Sequence, residues 1–286
     1  MSGAEVGVVG LGNMGSALAS NLVATGHCVL AHDVAGPSRT PAGAAYLPSV
    51  EEVARRAPMV VLSLPDGAVV ELVVEQILKV PQRRVGHIID TSTIGVASAR
   101  ETARLLASHD IGYVEAPVSG GVAGARARSL AVICAGPAEA LEAAAPILAG
   151  LSDHVLRVSE QPGAAQALKL ANNFLSATAL AATSEAVAFG LAHGLDMATM
   201  LDALNVSSGR SAATQDKFPT HVLTERYASG FANSLMAKDL RLYLAATADA
   251  GTPARVGEIT TDVWERFTEH APGVDFTRIF SFVRDG

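Results

Sequence analysis

The stretch 163–192 is mostly Ala, Leu, Val and Phe and carries a single cation, Lys169, in the run Lys169-Leu170-Ala171-Asn172-Asn173. At helical spacing Gln166, Lys169, Asn173 and Ser176 share one face, because residues three and four apart are neighbours on a helix. A lysine packed among apolar neighbours loses hydration, which disfavours its charged form. An amine brought toward neutrality in this way can exchange protons with a substrate. The plainer alternative is a structural lysine that reaches water or pairs with Glu185.

A second set of residues points to a dinucleotide. Gly10-Leu11-Gly12-Asn13-Met14-Gly15 fits G-x-G-x-x-G between a strand pattern and a helix pattern. In that fingerprint the first glycine permits a tight turn, the second a close approach of backbone to pyrophosphate, and the third helix-on-strand packing. The helix start then offers free N–H groups to phosphates. Asp33 ends the next strand at the distance expected for the acid that binds the adenosine ribose. A carboxylate there repels a 2′-phosphate and favours NAD over NADP, while Arg39 close behind can soften that preference. Three further strand ends lead into loops: Leu64-Pro65-Asp66, Asp90-Thr91-Ser92-Thr93 and Glu115 through Gly121. Ser119-Gly120-Gly121 can aim backbone N–H groups and a hydroxyl at one anion such as a carboxylate. The alternative there is a hairpin turn, which glycine pairs commonly make.

The elements that must position these groups follow from periodicity. Strand patterns at 6–9, 29–32, 59–62, 87–90, 112–115, 130–135 and 155–158 alternate with helix patterns at 13–24, 50–56, 68–78, 97–108 and 138–148. Such alternation predicts βαβ units in an α/β fold, a doubly wound, mostly parallel sheet covered on both faces. Beyond Pro162 the strand signal stops, and helices are expected over 163–192, 197–204, 234–250, 252–268 and 276–283, with 205–233 unassigned. The change of class places a dinucleotide-binding domain at 1–160 and an all-α domain at 161–286 that includes the long helix.

Composition narrows the function classes. A chain of 286 residues, 49% hydrophobic, can bury a large core, and a net charge of −7 without a dense basic block argues against nucleic acid or anionic membrane as main partner. Cys28 and Cys134 stand apart and the eight histidines show no ligand spacing, so no metal site is expected. The start, MSGAEVGVVGLG, lacks a signal-peptide pattern, and Lys169, two asparagines and Glu185 would be costly in hydrocarbon. A cytoplasmic protein is the expectation. Ser119 lacks a G-x-S-x-G elbow and is not read as a nucleophile.

GLGNMG at 10–15, DTSTIG at 90–95, EAPVSGGVAGAR at 115–126, KLANN at 169–173 and MAKDL at 236–240 stand in the order seen in the β-hydroxyacid dehydrogenase family. The chain resembles a 3-hydroxyisobutyrate dehydrogenase-type member over essentially its whole length. The resemblance implies a Rossmann-type domain, a long interdomain helix and an all-α domain. It also implies NAD(P)-dependent oxidation of a short 3-hydroxy acid or reduction of its semialdehyde, in a homodimer or homotetramer. By motif, Lys169 matches the catalytic lysine and Asn173 its substrate-orienting neighbour. Ser119, Gly120 and Gly121 match the loop that binds the substrate carboxylate, and Leu64, Pro65 and Thr93 match positions beside the nicotinamide end of the cofactor. Lys238 matches a lysine that closes over nicotinamide and substrate; Asp239 is its neighbour, with a capping or ion-pair role as the alternative, and Phe231 matches an apolar pocket wall.

The chain departs from the family pattern in places. Glu115 stands where Asp is common, and Arg128-Ser129 where small residues such as Gly-Thr are frequent. Residues 211–222, after Ser207-Ser208-Gly209-Arg210, vary among members and are the expected seat of selectivity. Within the family, tartronate semialdehyde, succinic semialdehyde, threonate and serine are alternative substrates. A non-catalytic NAD-binding relative is the alternative outside enzymes, and loss of the lysine found here at 169 would be its mark.

Overall fold

The computed structural model describes residues 5–286; the leader reading above involves residues 1–4, which lie outside the described residues. By contact the chain divides into two compact units, Met1–Lys169 and Leu170–Gly286.

In the first unit the elements run β1 (Glu5–Val9), α1 (Asn13–Ala24), β2 (Cys28–His32), β3 (Ala45–Tyr46), α2 (Val50–Arg56), β4 (Met59–Leu62), α3 (Gly67–Leu78), β5 (His87–Asp90) and α4 (Val96–Ala107). They continue through β6 (Gly112–Glu115), β7 (Val118–Ser119), α5 (Gly121–Arg126), β8 (Ala131–Ala135), α6 (Ala138–Leu151), β9 (His154–Ser159) and the start of α7 (Ala164–Ala192). The sheet order is β3-β2-β1-β4-β5-β6-β8-β7, with β9 beside β8. All pairs from β3 to β6 are parallel, whereas β8 runs antiparallel to β6 and β7 and parallel to β9. The β3-to-β6 portion is the doubly wound dinucleotide-binding order, whose direction of winding reverses between β1 and β4.

Val8, Val61, Ile89 and Val114 pack one face of this sheet, and Val60, Leu62 and Ile88 belong to a second apolar cluster with α2, α3 and α4. A strand buried on both faces reads as a continuous apolar run, which is why β1 and β4 were legible as sequence. The two-residue β3 is too short to show alternation. The glycine pair at 120–121 does not close a hairpin. Gly120 and Gly121, at φ +129° and +66°, turn the chain from β7 into α5, a backbone path that favours glycine. Asn21 locks α1 to its neighbours: its buried amide donates to the carbonyls of Ala125 at 2.8 Å and Leu151 at 3.0 Å.

The second unit contains the rest of α7, then α8 (Met197–Asn205), a π-helical stretch Ala213–Val222, α9 (Asn233–Ala250), α10 (Arg255–His270), a 3-10 turn Phe276–Arg278 and α11 (Ile279–Asp285). Its core is aromatic. Trp264 is fully buried against Phe267 and Phe276, and its indole N–H donates to the Ala177 carbonyl at 3.2 Å. The π-helix lies in the segment left unassigned from sequence. Its wide turns, with Leu223 N–H reaching the Phe218 carbonyl at 2.8 Å, bury Thr214 and Phe218, and its polar composition with Pro219 inside hides the helix from a sequence reading. The last predicted helix is split, because Asp275 caps the 3-10 turn by accepting from Thr277 N–H at 3.1 Å before α11 begins.

Among the described residues α7 is the one helix long and apolar enough, by length and composition, to cross a membrane. Its polar residues Gln166, Lys169, Asn173 and Ser184 are nevertheless buried, while Leu168, Leu175 and Phe189 are exposed. The polar face of the helix is therefore the one packed against the rest of the protein.

Asn21→Ala leaves two buried carbonyls without their donor. It should lower unfolding free energy by about 1–3 kcal/mol, read as a lower urea midpoint with unchanged far-UV circular dichroism.

Candidate active site

The glycine loop sits where the winding reverses, at the carboxyl ends of β1 and β4. Gly10 has φ +92°, and a Cβ there would collide with the Ser63 carbonyl oxygen. A Cβ on Gly15 would collide with the Gly10 carbonyl oxygen, so both positions are closed to side chains by backbone. Gly12 is different: a Cβ there meets nothing within 4 Å. Gly12 also begins α1 without a side-chain cap, whereas α2 and α3 are capped by Ser49 and Asp66. Open space in front of uncapped helical N–H groups is what a pyrophosphate requires, and the loop fits the dinucleotide that the motif implies.

Asp33 is half-buried at the end of β2 and braces this loop. Its carboxylate accepts from Leu11 N–H at 2.6 Å and Ala35 N–H at 2.8 Å. The Leu11 side chain is fully buried in the core, so what this residue offers the loop is backbone. Asn13 is exposed and Met14 half-buried. Beside Gly12 and Asn13 lies a cavity of about 370 Å³ whose lining includes Ser16, Arg39 and Arg126. Ser16 Oγ donates to the Arg39 carbonyl at 2.9 Å, which ties the arginine loop to α1.

The loops after β4 and β5 are joined: Leu64 N–H donates to Ser92 Oγ at 2.9 Å, with Pro65 exposed and Thr93 half-buried beside them. Asp90 supports the second loop by accepting from Ser92 N–H at 2.9 Å and from the Tyr113 hydroxyl at 3.2 Å. Burial, with the nearby charges of Asp90 and Glu115, drives the Tyr113 phenol well above its ordinary range, so it stays a donor. After β6, Ser119 is half-buried and Gly120 exposed at the opening of α5.

Lys169 is 7% exposed on α7. The sixteen residues to Glu185 span about 24 Å of helix, which removes the pairing that the plainer reading allowed. Two side chains fix the first turn of α7. Glu115, from the end of β6, accepts from Gly163 N–H at 2.8 Å, Ala165 N–H at 3.0 Å and Gln166 N–H at 3.3 Å. Gln166 accepts from Ile94 N–H at 3.0 Å and Gly95 N–H at 3.2 Å, and donates to the Ser92 carbonyl at 2.9 Å. Burial raises the Glu115 carboxyl to about 7, against the lowering effect of its three amide donors and with a further push from Asp90. From sequence, Glu115 was only a departure from a family pattern and Gln166 only a face-mate of Lys169. A glutamate ending an apolar strand is the one signal that pointed to the cap.

In the second unit Asn173, Lys238 and Asp239 come together. The Asn173 amide donates to Asp239 Oδ2 at 2.6 Å, and Lys238 Nζ lies 3.1 Å from Asp239 Oδ1. Asp239 is 3% exposed, an ion-pair and orienting position. Phe231 packs edge-to-face on Phe276 with ring centres 5.6 Å apart. Among the described residues no group of three or more His, Cys, Asp or Glu is placed to hold a metal ion.

Known proteins resemble the chain over most of its length. Residues 5–159 match the model of the NAD binding domain of 6-phosphogluconate dehydrogenase, and residues 163–283 that of the NAD-binding region of NADP-dependent 3-hydroxyisobutyrate dehydrogenase. A 3-hydroxyisobutyrate dehydrogenase of Pseudomonas aeruginosa is 33% identical over 98% of each chain. A 2-(hydroxymethyl)glutarate dehydrogenase of Eubacterium barkeri is 32% identical over 91% of this chain and 88% of its own. The solved Mycobacterium tuberculosis 3-hydroxyisobutyrate dehydrogenase with L-serine superposes with a TM-score of 0.89 at 32% identity, covering 99% of both chains.

A carboxyl whose folded pKa is raised stabilises the fold most while neutral. Its contribution is complete below its unfolded value of 4.5 and is lost as pH rises through about 7. Glu115→Gln removes the ionisation. Its melting temperature should therefore fall less than that of the unmodified protein between pH 5 and pH 8, a difference that paired thermal melts will show.

Proposed function

Because the chain belongs to the β-hydroxyacid dehydrogenase family, we propose that its substrate is a short 3-hydroxy acid of the 3-hydroxyisobutyrate kind, or the corresponding semialdehyde, with Lys169 as general acid–base. The protein is an NAD(P)-dependent 3-hydroxyacid dehydrogenase with a Rossmann-type domain. Burial of the Lys169 side chain, on a helix whose first turn is tied by Gln166 to the loop holding Thr93, carries the assignment of its role.

Bound nicotinamide accepts or supplies the hydride at its C4. In oxidation Lys169 takes the hydroxyl proton as the adjacent carbon loses that hydride. In reduction its ammonium returns a proton to the developing alkoxide and stabilises the charge meanwhile. Ser119, Gly120 and Gly121 hold the substrate carboxylate with backbone N–H groups and a hydroxyl. Asn173 orients substrate or lysine, and its amide is itself held by Asp239. Lys238 and Phe231 belong to the same reading as substrate contacts, Lys238 also on the nicotinamide side. Gly10 to Gly15, Leu64, Pro65 and Thr93 serve the cofactor.

Residues 1–160 act in this reading as the dinucleotide domain, and residues 161–286 as the substrate and dimerisation domain. NAD is the preferred cofactor, because the Asp33 carboxylate opposes a 2′-phosphate; Arg39 and Arg126 beside Gly12 leave NADP usable. Exposed Leu175 and Phe189 on α7 support a homodimer or homotetramer. The free thiols Cys28 and Cys134 suit a reducing cytoplasm. The Eubacterium barkeri relative and the L-serine bound to the Mycobacterium tuberculosis structure keep other small acids, serine included, as the second reading of the substrate.

Lys169→Ala should lower kcat by roughly 10²–10⁴-fold while leaving NADH affinity nearly intact. NADH formation over a panel of hydroxy acids, run with NAD and with NADP, measures this; near wild-type turnover in the variant would remove the lysine from the chemistry. Cofactor binding by the unmodified protein without turnover of any panel member would favour a binding protein over an enzyme. Asp33→Ala should lower kcat/KM for NAD by about 10-fold or more and affect NADP less, since a lost charge-assisted hydrogen bond costs about 1.5–3 kcal/mol.

A further inference from the structure

We propose that Glu115 is a positioning residue for Lys169: its carboxylate, acting with the Gln166 side chain, sets the axial register of α7 and hence where the Lys169 amine meets the substrate hydroxyl. The proposal rests on the acid–base reading of Lys169.

The residue before α7 offers the helix no side-chain cap. It is Gly163, at φ +94°, a backbone conformation that strains any Ser, Asp or Asn placed there. The N–H groups of residues 163, 165 and 166 go instead to Glu115, from 48 to 51 residues earlier in the chain, and that of Ala164 to the Gln161 carbonyl at 3.4 Å. The origin of the helix is thus referenced to the end of β6 rather than to a local turn.

That strand end is also where the 117–121 loop begins, so one carboxylate joins the lysine's helix to the proposed substrate-carboxylate loop. Gln166 supplies the second reference. Its amide is bonded on three sides to residues 92, 94 and 95, which flank Thr93 on the proposed nicotinamide side. Lys169 lies three residues beyond Gln166, on the same helix face and one turn along. Proton transfer and hydride transfer must share one geometry, and a displacement near 1 Å costs about 10²-fold.

The carboxylate form matters, because an ionised carboxyl only accepts and can serve all three amides. Protonation turns one oxygen into a donor, and two donors then face each other at one amide. The groups facing Glu115 are Asp90 from the end of β5 and Tyr113 from β6, with Arg100 of α4 bonded to the adjacent Pro162 carbonyl at 3.4 Å. Titration of Glu115 near neutrality makes register control pH-dependent: ionisation weakens the fold and tightens the register.

The test uses the full chain with NAD and 3-hydroxyisobutyrate, comparing the unmodified protein with Glu115→Gln, Gln166→Met and Lys169→Ala. Glu115→Gln should lower kcat by about 10–100-fold, with KM and NADH affinity within about two-fold. The rise of kcat through about pH 7 should vanish in it, whatever limb Lys169 itself produces. A stably folded Glu115→Gln with unchanged kcat and pH profile overturns the proposal. So does a joint fall of kcat and NADH affinity that tracks the melting temperature, which is the mark of general destabilisation. Where Glu115→Gln does not fold, Gln166→Met must show the same split between kcat and KM, and unchanged kcat there overturns the proposal equally. Full activity in Lys169→Ala removes the acid–base reading and this role with it. Loss in Lys169→Ala with none in Glu115→Gln overturns the positioning role alone.

Discussion

A buried carboxylate at the end of a strand, bonded to the backbone amides that open a long helix, is the contact on which the rest of the proposed chemistry depends. Glu115 is fully buried and accepts three N–H groups from residues 163–166. Burying a carboxylate is costly, and the cost is offset only where donors meet it closely. The first turn of a helix supplies such donors, along with the positive end of its dipole. Burial outweighs the donors, which is why the Glu115 carboxyl stands at about 7, above its ordinary 4.5. Its ionised form therefore costs stability, and what it contributes is geometric definition.

The same device recurs at smaller scale. Asp33 holds the glycine loop through Leu11 N–H, and Asp239 holds both the Asn173 amide and the Lys238 ammonium. In each case an acidic side chain arranges donors instead of serving as an exposed charge. Networks of this kind are specific because every unmet donor inside a low-dielectric interior is penalised. Glycine does the complementary work at β1 and β4, where the Gly10 and Ser63 backbones approach too closely for any Cβ.

Much of this was legible in the chain. The buried strands of the first unit announce themselves as apolar runs, and the mostly parallel pairing follows from alternation with helices. The glycine loop and Asp33 were readable because their spacing is local and each residue type has one physical reason to be there. Lys169 was conspicuous as a lone cation in apolar sequence. Other elements were not readable. The π-helix at Ala213–Val222 is a polar stretch with Pro219 inside it, and α5 is a six-residue helix opened by glycines that resemble a turn.

Sequence by itself determined the fold class, the dinucleotide fingerprint and the helix that bears the lysine, since these depend on neighbours within a few residues of each other. Tertiary structure alone decided what holds that helix in place. Glu115 and Gln166 act on partners about 50 and 70 residues away, and no periodicity records such a contact. A glutamate at the end of a buried strand and a glutamine on an apolar helix are, as sequence, two unexplained polar residues. Only folding shows that one meets the free amides of the helix start and the other the backbone of the neighbouring loop, because each contact exists only once β5, β6 and the start of α7 are side by side.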